Sequence, residues 1–307
     1  GVGRAFADDF AAAQYAPAGQ AIADAAAEGR DGLGTILVFA AGNARNRGDN
    51  VNHHNFQNDP ATIAVGALDA DGQPADYATP GAALLLAARG SDVPLGDDPA
   101  AGEPVTVSGT SFAAPQVSAA VARMLDVNPA LTSRDVQTIL ANTATPVAET
   151  ASQDDPGHPA GSQAADPDPV RGVTNGADNW NGGGRVFDNR TGFGALDADA
   201  ATRLAAAWTP GATHDEAARV AAEATPAAPI PDGGAALVVP LALEAGVDVE
   251  QVTLDVDITH PWIGDLTVTL VSPSGTRSVL LNRPGKAPDS QGYGSSTDDV
   301  AFELTSN

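Results

Sequence analysis

Hydrophobic residues in the N-terminal part of the chain occur in helical stretches and in short continuous runs. Residues 16–29 consist mainly of alanine and other good helix formers and end at a glycine, so they predict a helix. Residues 35–40 and 61–67 are unbroken apolar runs, which are typical of parallel strands buried on both faces. Residues 82–88 predict a further strand. Helices that alternate with buried strands indicate an α/β fold.

Three more helices are predicted further along the chain. Residues 111–126 form a run of small and apolar residues that begins at a serine. Residues 131–140 carry Thr132 and Asp135 at the spacing of a capping box, which satisfies backbone amides at a helix start. Residues 198–208 predict the helix that closes the α/β part.

The hydrophobic period changes in the C-terminal part. Residues 252–259 and 266–271 alternate between apolar and polar side chains, and residues 278–281 form another strand-like run. This pattern predicts an antiparallel β-sandwich. The sequence therefore predicts two different architectures in one chain.

We expect the chain to divide accordingly. Residues 1–208 form the α/β part, which includes a flexible insertion at 145–172 that is rich in Pro, Gly, Asp, Gln and Ser. Residues 209–233 form a linker, and residues 234–307 form an incomplete β-sandwich that stops in strand-like sequence. Since the chain also starts without methionine, we expect it to be an internal part of a longer protein.

Charge and composition narrow the range of partners. The chain has 39 acidic and 15 basic residues, and its formal net charge of −24 argues against nucleic acid or an anionic membrane surface as partner. No apolar run is long enough to span a bilayer. The absence of cysteine excludes disulfides and thiolate metal sites.

Two polar residues lie at positions where catalytic or ligand-binding residues are often found. Ser111 follows a Gly-Thr turn at the start of a predicted helix, so its hydroxyl can lie near unpaired amides and the positive end of the helix dipole. Asn43 follows a buried strand, and ligands bind at the carboxyl ends of strands in open α/β sheets. Taken singly, the serine is also consistent with a helix N-cap and the asparagine with a turn.

The sequence around both residues resembles a known family. Gly-Thr-Ser-x-Ala-Ala-Pro at 109–115 resembles the catalytic-serine segment of subtilisin-like serine proteases. Ala-Ala-Gly-Asn at 40–43, with its flanking strands, resembles the kexin and furin branch. The resemblance implies a subtilisin-like parallel sheet with helices on both faces, Ser111 as nucleophile and Asn43 as oxyanion donor. It also implies that substrate contacts Ala41, Gly42, His54 and Thr110.

The chain departs from this branch at two positions. In the branch, an aspartate six residues after the oxyanion asparagine binds a structural calcium ion, and Asp49 matches it, but Thr79 replaces the glutamate that joins it. His54 stands where furin-like enzymes have an aspartate that helps to bind a basic P1 side chain, so the acidic floor for Arg or Lys is weakened and the resemblance does not imply cleavage after dibasic sites. For His53 and His54, a role as loop residues is favoured over a role as metal ligands.

The β-sandwich part carries its own resemblance. Residues 260–266 and 272–276 resemble the P domain, which is expected to pack on the catalytic domain in kexin-like enzymes. His260 lies in this part and is interpreted as a residue at a strand end.

The resemblance implies a secreted serine endopeptidase that acts on protein or peptide substrates. None of the five histidines stands in a His-Gly-Thr-like segment, so we expect the triad aspartate and histidine upstream of Gly1 and the fragment alone to be inactive. Two alternatives remain at this point. One is a pseudoprotease, and the other is a secreted binding protein that uses the β-sandwich.

Overall fold

The structure is a computed structural model that describes residues 5–97, 104–147, 173–176, 184–231, 233, 236–243, 246–287, 290 and 293–307. The helices are α1 (Ala16–Glu28), α2 (Asn55–Asn58), α3 (Thr110–Val127), α4 (Ser133–Thr143) and α5 (Ala198–Ala207). The strands are β1 (Leu37–Ala40), β2 (Thr62–Leu68), β3 (Leu84–Arg89), β4 (Val93–Asp97), β5 (Pro104–Val107), β6 (Val173–Thr174), β7 (Val186–Phe187), β8 (Val252–Ile258), β9 (Thr267–Val271), β10 (Arg277–Asn282) and β11 (Val300–Ser306). Short 3-10 turns lie at Arg45–Arg47, Val51–His53 and Ile263–Asp265.

The α/β part is built on a parallel sheet in the order β1-β2-β3. All seven residues of the central strand β2 are buried, as its apolar run predicts. All four residues of β1 are only partly buried, so the prediction of burial on both faces is wrong for this strand. The reason is topological, because within the described ranges β2 is the only strand that pairs with β1.

Helices α3, α4 and α5 cover this sheet. The buried side of α3 includes Val117, Val121 and Met124, which pack into the same core as β2 and β3. At the start of α4, the Thr132 side chain accepts a hydrogen bond from the Asp135 amide at 3.1 Å, and the Asp135 carboxylate accepts one from the Thr132 amide at 2.8 Å. The predicted capping box is therefore confirmed.

The C-terminal part is all β, as its alternating pattern predicts. Strands β8 and β11 form one antiparallel pair, and β9 and β10 form another. Their inner side chains form a separate core. Its largest buried members are Ile263, Leu280, Leu281, Phe302 and Leu304.

Asn52 joins the two parts of the chain. Its side chain is fully buried, donates to the carbonyls of Leu280 and Thr305 at 3.0 Å each, and accepts from the Thr305 amide at 2.9 Å. Phe6 adds an aromatic contact, with its ring 5.0 Å from that of Phe302. The β part thus packs on the α/β part through both polar and apolar contacts.

Several expectations fall outside the described residues. Most of the predicted insertion at 145–172, including His158, is among them. Residues 209–231, within the predicted linker, are described and contain neither helix nor strand. None of the described helices has the length and hydropathy needed to cross a membrane.

Replacing Asn52 by alanine should weaken the contact between the two parts. The change leaves a buried amide and two carbonyls without their partner, and each such group costs about 1–3 kcal/mol. We expect Asn52→Ala to lower the unfolding free energy by about 3 kcal/mol or more in chemical denaturation. Asn46→Ala, in an exposed turn of the same loop, is the control and should change stability little. Equal stability of the two variants would contradict this role of Asn52.

Glu303 places a carboxyl group at the same contact. It lies directly opposite Asp255 in the β8–β11 pair. Burial, followed by repulsion from Asp255 and Asp59, raises the pKa of Glu303 from 4.5 to about 7. The folded chain therefore keeps a proton on Glu303 over a pH range in which the unfolded chain has lost it.

This raised pKa makes stability depend on pH. As pH rises from 4.5 to about 7, the unfolded chain binds fewer protons at this position than the folded chain, so the contribution of Glu303 to stability falls. Glu303→Gln removes the titration, and we expect its melting temperature to exceed that of the wild type above about pH 7 but not at acid pH. Glu223→Gln, at an exposed position, is the control. A melting-temperature difference that is the same at every pH would contradict the prediction.

Candidate active site

Ser111 is the second residue of α3 and is exposed. Among the described residues, no group hydrogen-bonds to its hydroxyl or to its backbone amide. The helix begins after Gly109, whose φ of 153° is one that side-chain-bearing residues rarely adopt. A Cβ at Gly109 would also lie only 3.3 Å from Nδ2 of Asn43. The glycine therefore permits a close approach between the start of α3 and Asn43.

Thr110 holds Asn43 in one orientation. The side-chain oxygen of Asn43 accepts hydrogen bonds from the amide and the hydroxyl of Thr110, both at 2.9 Å. The Thr110 hydroxyl also accepts from the Gly42 amide at 3.1 Å. Since the oxygen is engaged, the side-chain amide nitrogen of Asn43 is the end left to donate to a ligand. The turn that carries Asn43 is thus tied to Thr110, the residue directly before Ser111.

The other residues of the predicted substrate contact differ in exposure. Ala41 and Thr110 are each only 1% exposed, so they form the support behind Asn43. Gly42 is partly exposed, has a φ of 110°, and accepts a hydrogen bond at its carbonyl from the Thr79 amide. His54 lies in the next loop, where it contacts acidic side chains.

His54 bridges two carboxylates. Its Nε2 lies 2.9 Å from Oδ1 of Asp49, and its Nδ1 lies 3.3 Å from Oδ1 of Asp8. Burial alone would lower the pKa of His54, but hydrogen bonds and charge from Asp49 and Asp8 outweigh it and raise the pKa to about 9. Burial in turn would raise the pKa of Asp49, but both neighbouring histidines hold it well below its usual range. His54 is therefore a cation at neutral pH.

His53 behaves differently from its neighbour. It is fully buried, its ring lies 4.9 Å from that of Phe6, and its Nδ1 is 3.5 Å from Oδ1 of Asp49. Burial lowers the pKa of His53 more than contact with Asp49 raises it, so this ring is neutral. Both histidines lie between β1 and β2.

The surroundings of Asp49 do not fit the expected calcium site. Oδ1 of Asp49 is in contact with both histidines, and Oδ2 faces the Thr79 hydroxyl at 3.5 Å. That hydroxyl itself accepts from the Ala44 amide at 3.1 Å. In the part of the chain that the structure describes, no three His, Cys, Asp or Glu side chains are grouped to hold a metal ion. The prediction that Asp49 binds calcium does not agree with this geometry.

Sequence reasoning did not identify Asp8. It lies 46 residues before His54 and has no motif around it that marks it as a partner. The remaining histidines do not complete the site. His214 contacts Arg219, and His260 accepts from the Trp262 amide, while His158 lies outside the described residues.

Comparisons with known proteins agree with this architecture. The sequence matches the subtilase family over residues 6–194 and the proprotein convertase P-domain over residues 249–305. The chain is 30% identical over 263 residues to endoprotease aex-5 of Caenorhabditis elegans, covering 85% of this chain and 42% of that protein. It is 31% identical over 268 residues to human proprotein convertase subtilisin/kexin type 7, covering 82% and 31%. The chain thus spans less than half the length of these relatives.

A solved structure shows the same fold. The crystal structure of the Aeromonas sobria serine protease in complex with its chaperone ORF2 superimposes with a TM-score of 0.64 at 20% identity, and the match covers 97% of this chain and 59% of that one. The parallel sheet with helices and the β part that follows are those of a subtilisin with a P domain. The chain belongs to the subtilase family and is a kexin/furin-like subtilisin with a proprotein convertase P-domain.

Proposed function

We propose that the protein containing this chain is a serine endopeptidase in which Ser111 is the nucleophile and Asn43 stabilises the oxyanion. The observation that carries the proposal is the pair of hydrogen bonds from Thr110 to the Asn43 oxygen. They leave the Asn43 amide nitrogen as a donor beside an exposed serine at a helix start. A donor that is held in place before reaction stabilises developing charge without reorganisation.

The proposed reaction is acyl transfer. Oγ of Ser111 attacks the carbonyl carbon of a peptide bond and transfers its proton to a general base. Nδ2 of Asn43 and the backbone amide of Ser111 donate to the oxygen that becomes negative. The tetrahedral intermediate expels the amine, which takes up the proton, and water then hydrolyses the acyl-enzyme.

The proposal places the general base, and the carboxylate that orients it, in sequence outside this chain. Within the described residues, no histidine hydrogen-bonds to Ser111. The relatives are more than twice as long as the matched segment, which supports a triad His and Asp supplied by preceding sequence. We therefore expect the 307-residue chain alone to be inactive.

The wider assignment follows from the same relatives. We infer that residues 1–208 are the C-terminal part of the catalytic domain, residues 209–233 the linker and residues 234–307 an incomplete P domain. A secreted protein with protein or peptide substrates fits relatives named as proprotein convertases. His54 is cationic and stands beside the carboxylates of Asp8 and Asp49. The loop therefore offers less negative charge to a basic P1 side chain than it would with an aspartate at position 54.

Labelling with a fluorophosphonate probe tests whether Ser111 is activated. In the full-length protein that contains this chain, we expect the probe to label the wild type and the Ser111→Ala variant to remain unlabelled. Ser108→Ala is the matched control, because Ser108 is exposed nearby and its hydroxyl accepts from the Asp92 amide. This control should label like the wild type.

The labelling result also separates the alternatives. Absence of label in folded wild-type protein would contradict the proposal and favour a pseudoprotease or a binding protein that uses the P domain. Peptide hydrolysis by the 307-residue chain alone, if lost in Ser111→Ala, would overturn the assignment of the base to preceding sequence.

Substitutions at Asn43 and Thr110 test the oxyanion arrangement. We expect Asn43→Ala to lower kcat by about 10²–10³, a magnitude taken from subtilisin itself, with little change in KM. Thr110→Val removes the hydroxyl that orients Asn43 and should lower kcat by a smaller factor. Thr110→Ser keeps the hydroxyl and should restore kcat. A rise in KM at constant kcat in Asn43→Ala would contradict the role, since it indicates loss of ground-state binding.

A further inference from the structure

The loop between β1 and β2 contains an ion cluster that the proposed reaction does not use. Asp49 and His54 come from this loop, and Asp8 comes from the segment before α1. All three side chains are largely buried, with 11–15% of each exposed. The cluster links two segments that are far apart in the sequence.

The geometry gives His54 the role of a bridging donor. A carboxylate offers only acceptors, so each ring nitrogen that contacts one must carry a hydrogen. Nε2 meets Asp49 at 2.9 Å and Nδ1 meets Asp8 at 3.3 Å. One cationic ring therefore joins two carboxylates from separate segments, which is the task that a divalent ion performs in other proteins.

The same contacts leave poor ligands for calcium. Calcium takes six to eight oxygen ligands at about 2.3–2.6 Å and does not favour ring nitrogens. One oxygen of Asp49 is already within 3.5 Å of both histidine rings. Thr79 offers a neutral hydroxyl that faces the other oxygen and also accepts from the Ala44 amide. A calcium ion bound to Oδ1 of Asp49 would have to displace the His54 ring from that oxygen.

We propose that the His54 side chain takes the place of a metal ion in this loop, cross-linking Asp8 and Asp49 so that the loop keeps its conformation without calcium. The cross-link lies close to the predicted substrate site, because Oδ2 of Asp49 is 3.9 Å from the position of a Cβ on Gly42. His54 thus holds the carboxylate that lies next to Gly42. This inference concerns the folded loop and does not depend on Ser111 being a nucleophile.

Thermal denaturation in chelator and in millimolar calcium tests the inference on the full-length protein. We expect Asp49→Asn to lower the melting temperature by roughly 4 °C or more. The shift that calcium produces in this variant should equal the shift that it produces in the wild type, whatever its size, because Asp49 does not bind the ion. A calcium-induced rise in the wild type that disappears in Asp49→Asn would overturn the proposal.

His54→Asp provides a gain-of-response test. The substitution places a third carboxylate beside Asp8 and Asp49 and removes the cation. We expect this variant to melt below the wild type in chelator and to show a larger calcium-induced rise in melting temperature than the wild type shows. His214→Asp is the matched control, because His214 contacts Arg219 outside the cluster, and it should gain no such rise. Equal calcium responses in His54→Asp and the wild type would contradict the replacement of a metal by His54.

A measurement on the wild type guards against variants that fail to fold. Both ring N–H groups of His54 should give signals in a nitrogen-correlated NMR spectrum of the histidine rings, because both are held by carboxylates. Addition of calcium should leave these two signals in place. Their loss or displacement on addition of calcium would show that the ion displaces the ring and would overturn the proposal.

Discussion

The hydrogen bonds between Thr110 and Asn43 are the constraint on which the candidate site depends. They join the turn after β1 to the first turn of α3, so two segments 67 residues apart act as one unit. The tie uses the oxygen of Asn43, and for that reason its nitrogen is the end left free to donate. Gly109 is part of the same constraint, since a Cβ there would crowd that nitrogen.

The loop after β1 also contacts the β part of the chain. Residues 48–54 contact the β part through the Gly48 carbonyl, which accepts from the Gly285 amide, and through the three hydrogen bonds of Asn52. The same loop contains Asp49 and His54 next to the Gly42–Asn43 turn. A few residues of this loop therefore contact both the P domain and the Gly42–Asn43 turn, so a change in one contact should alter the other.

Local patterns predicted much of the fold. The buried strand β2 and the capping box of α4 follow from short stretches of sequence, because each depends on contacts between near neighbours. The burial of β1 was not predictable in this way, since it depends on which strands lie beside it. At the candidate site, the motif predicts Ser111 and Asn43 as functional residues, but it does not predict the orientation of Asn43, which depends on the long-range contact with Thr110. No local pattern indicated that Asp8 reaches His54.

The calcium site that the family resemblance implies at Asp49 disagrees with the contacts that Asp49 makes. The position of Asp49 predicts a metal ligand only if its neighbours supply further oxygen atoms. Here one neighbour is a hydroxyl and the other is a cationic ring, so the carboxylate is satisfied by protein donors instead. At Asn43, by contrast, the surrounding groups agree with the proposed role, because Thr110 engages the side-chain oxygen and leaves the nitrogen to donate. Asp49 and Asn43 lie on one loop, yet each can take the role that the resemblance implies only where the groups around it supply matching contacts.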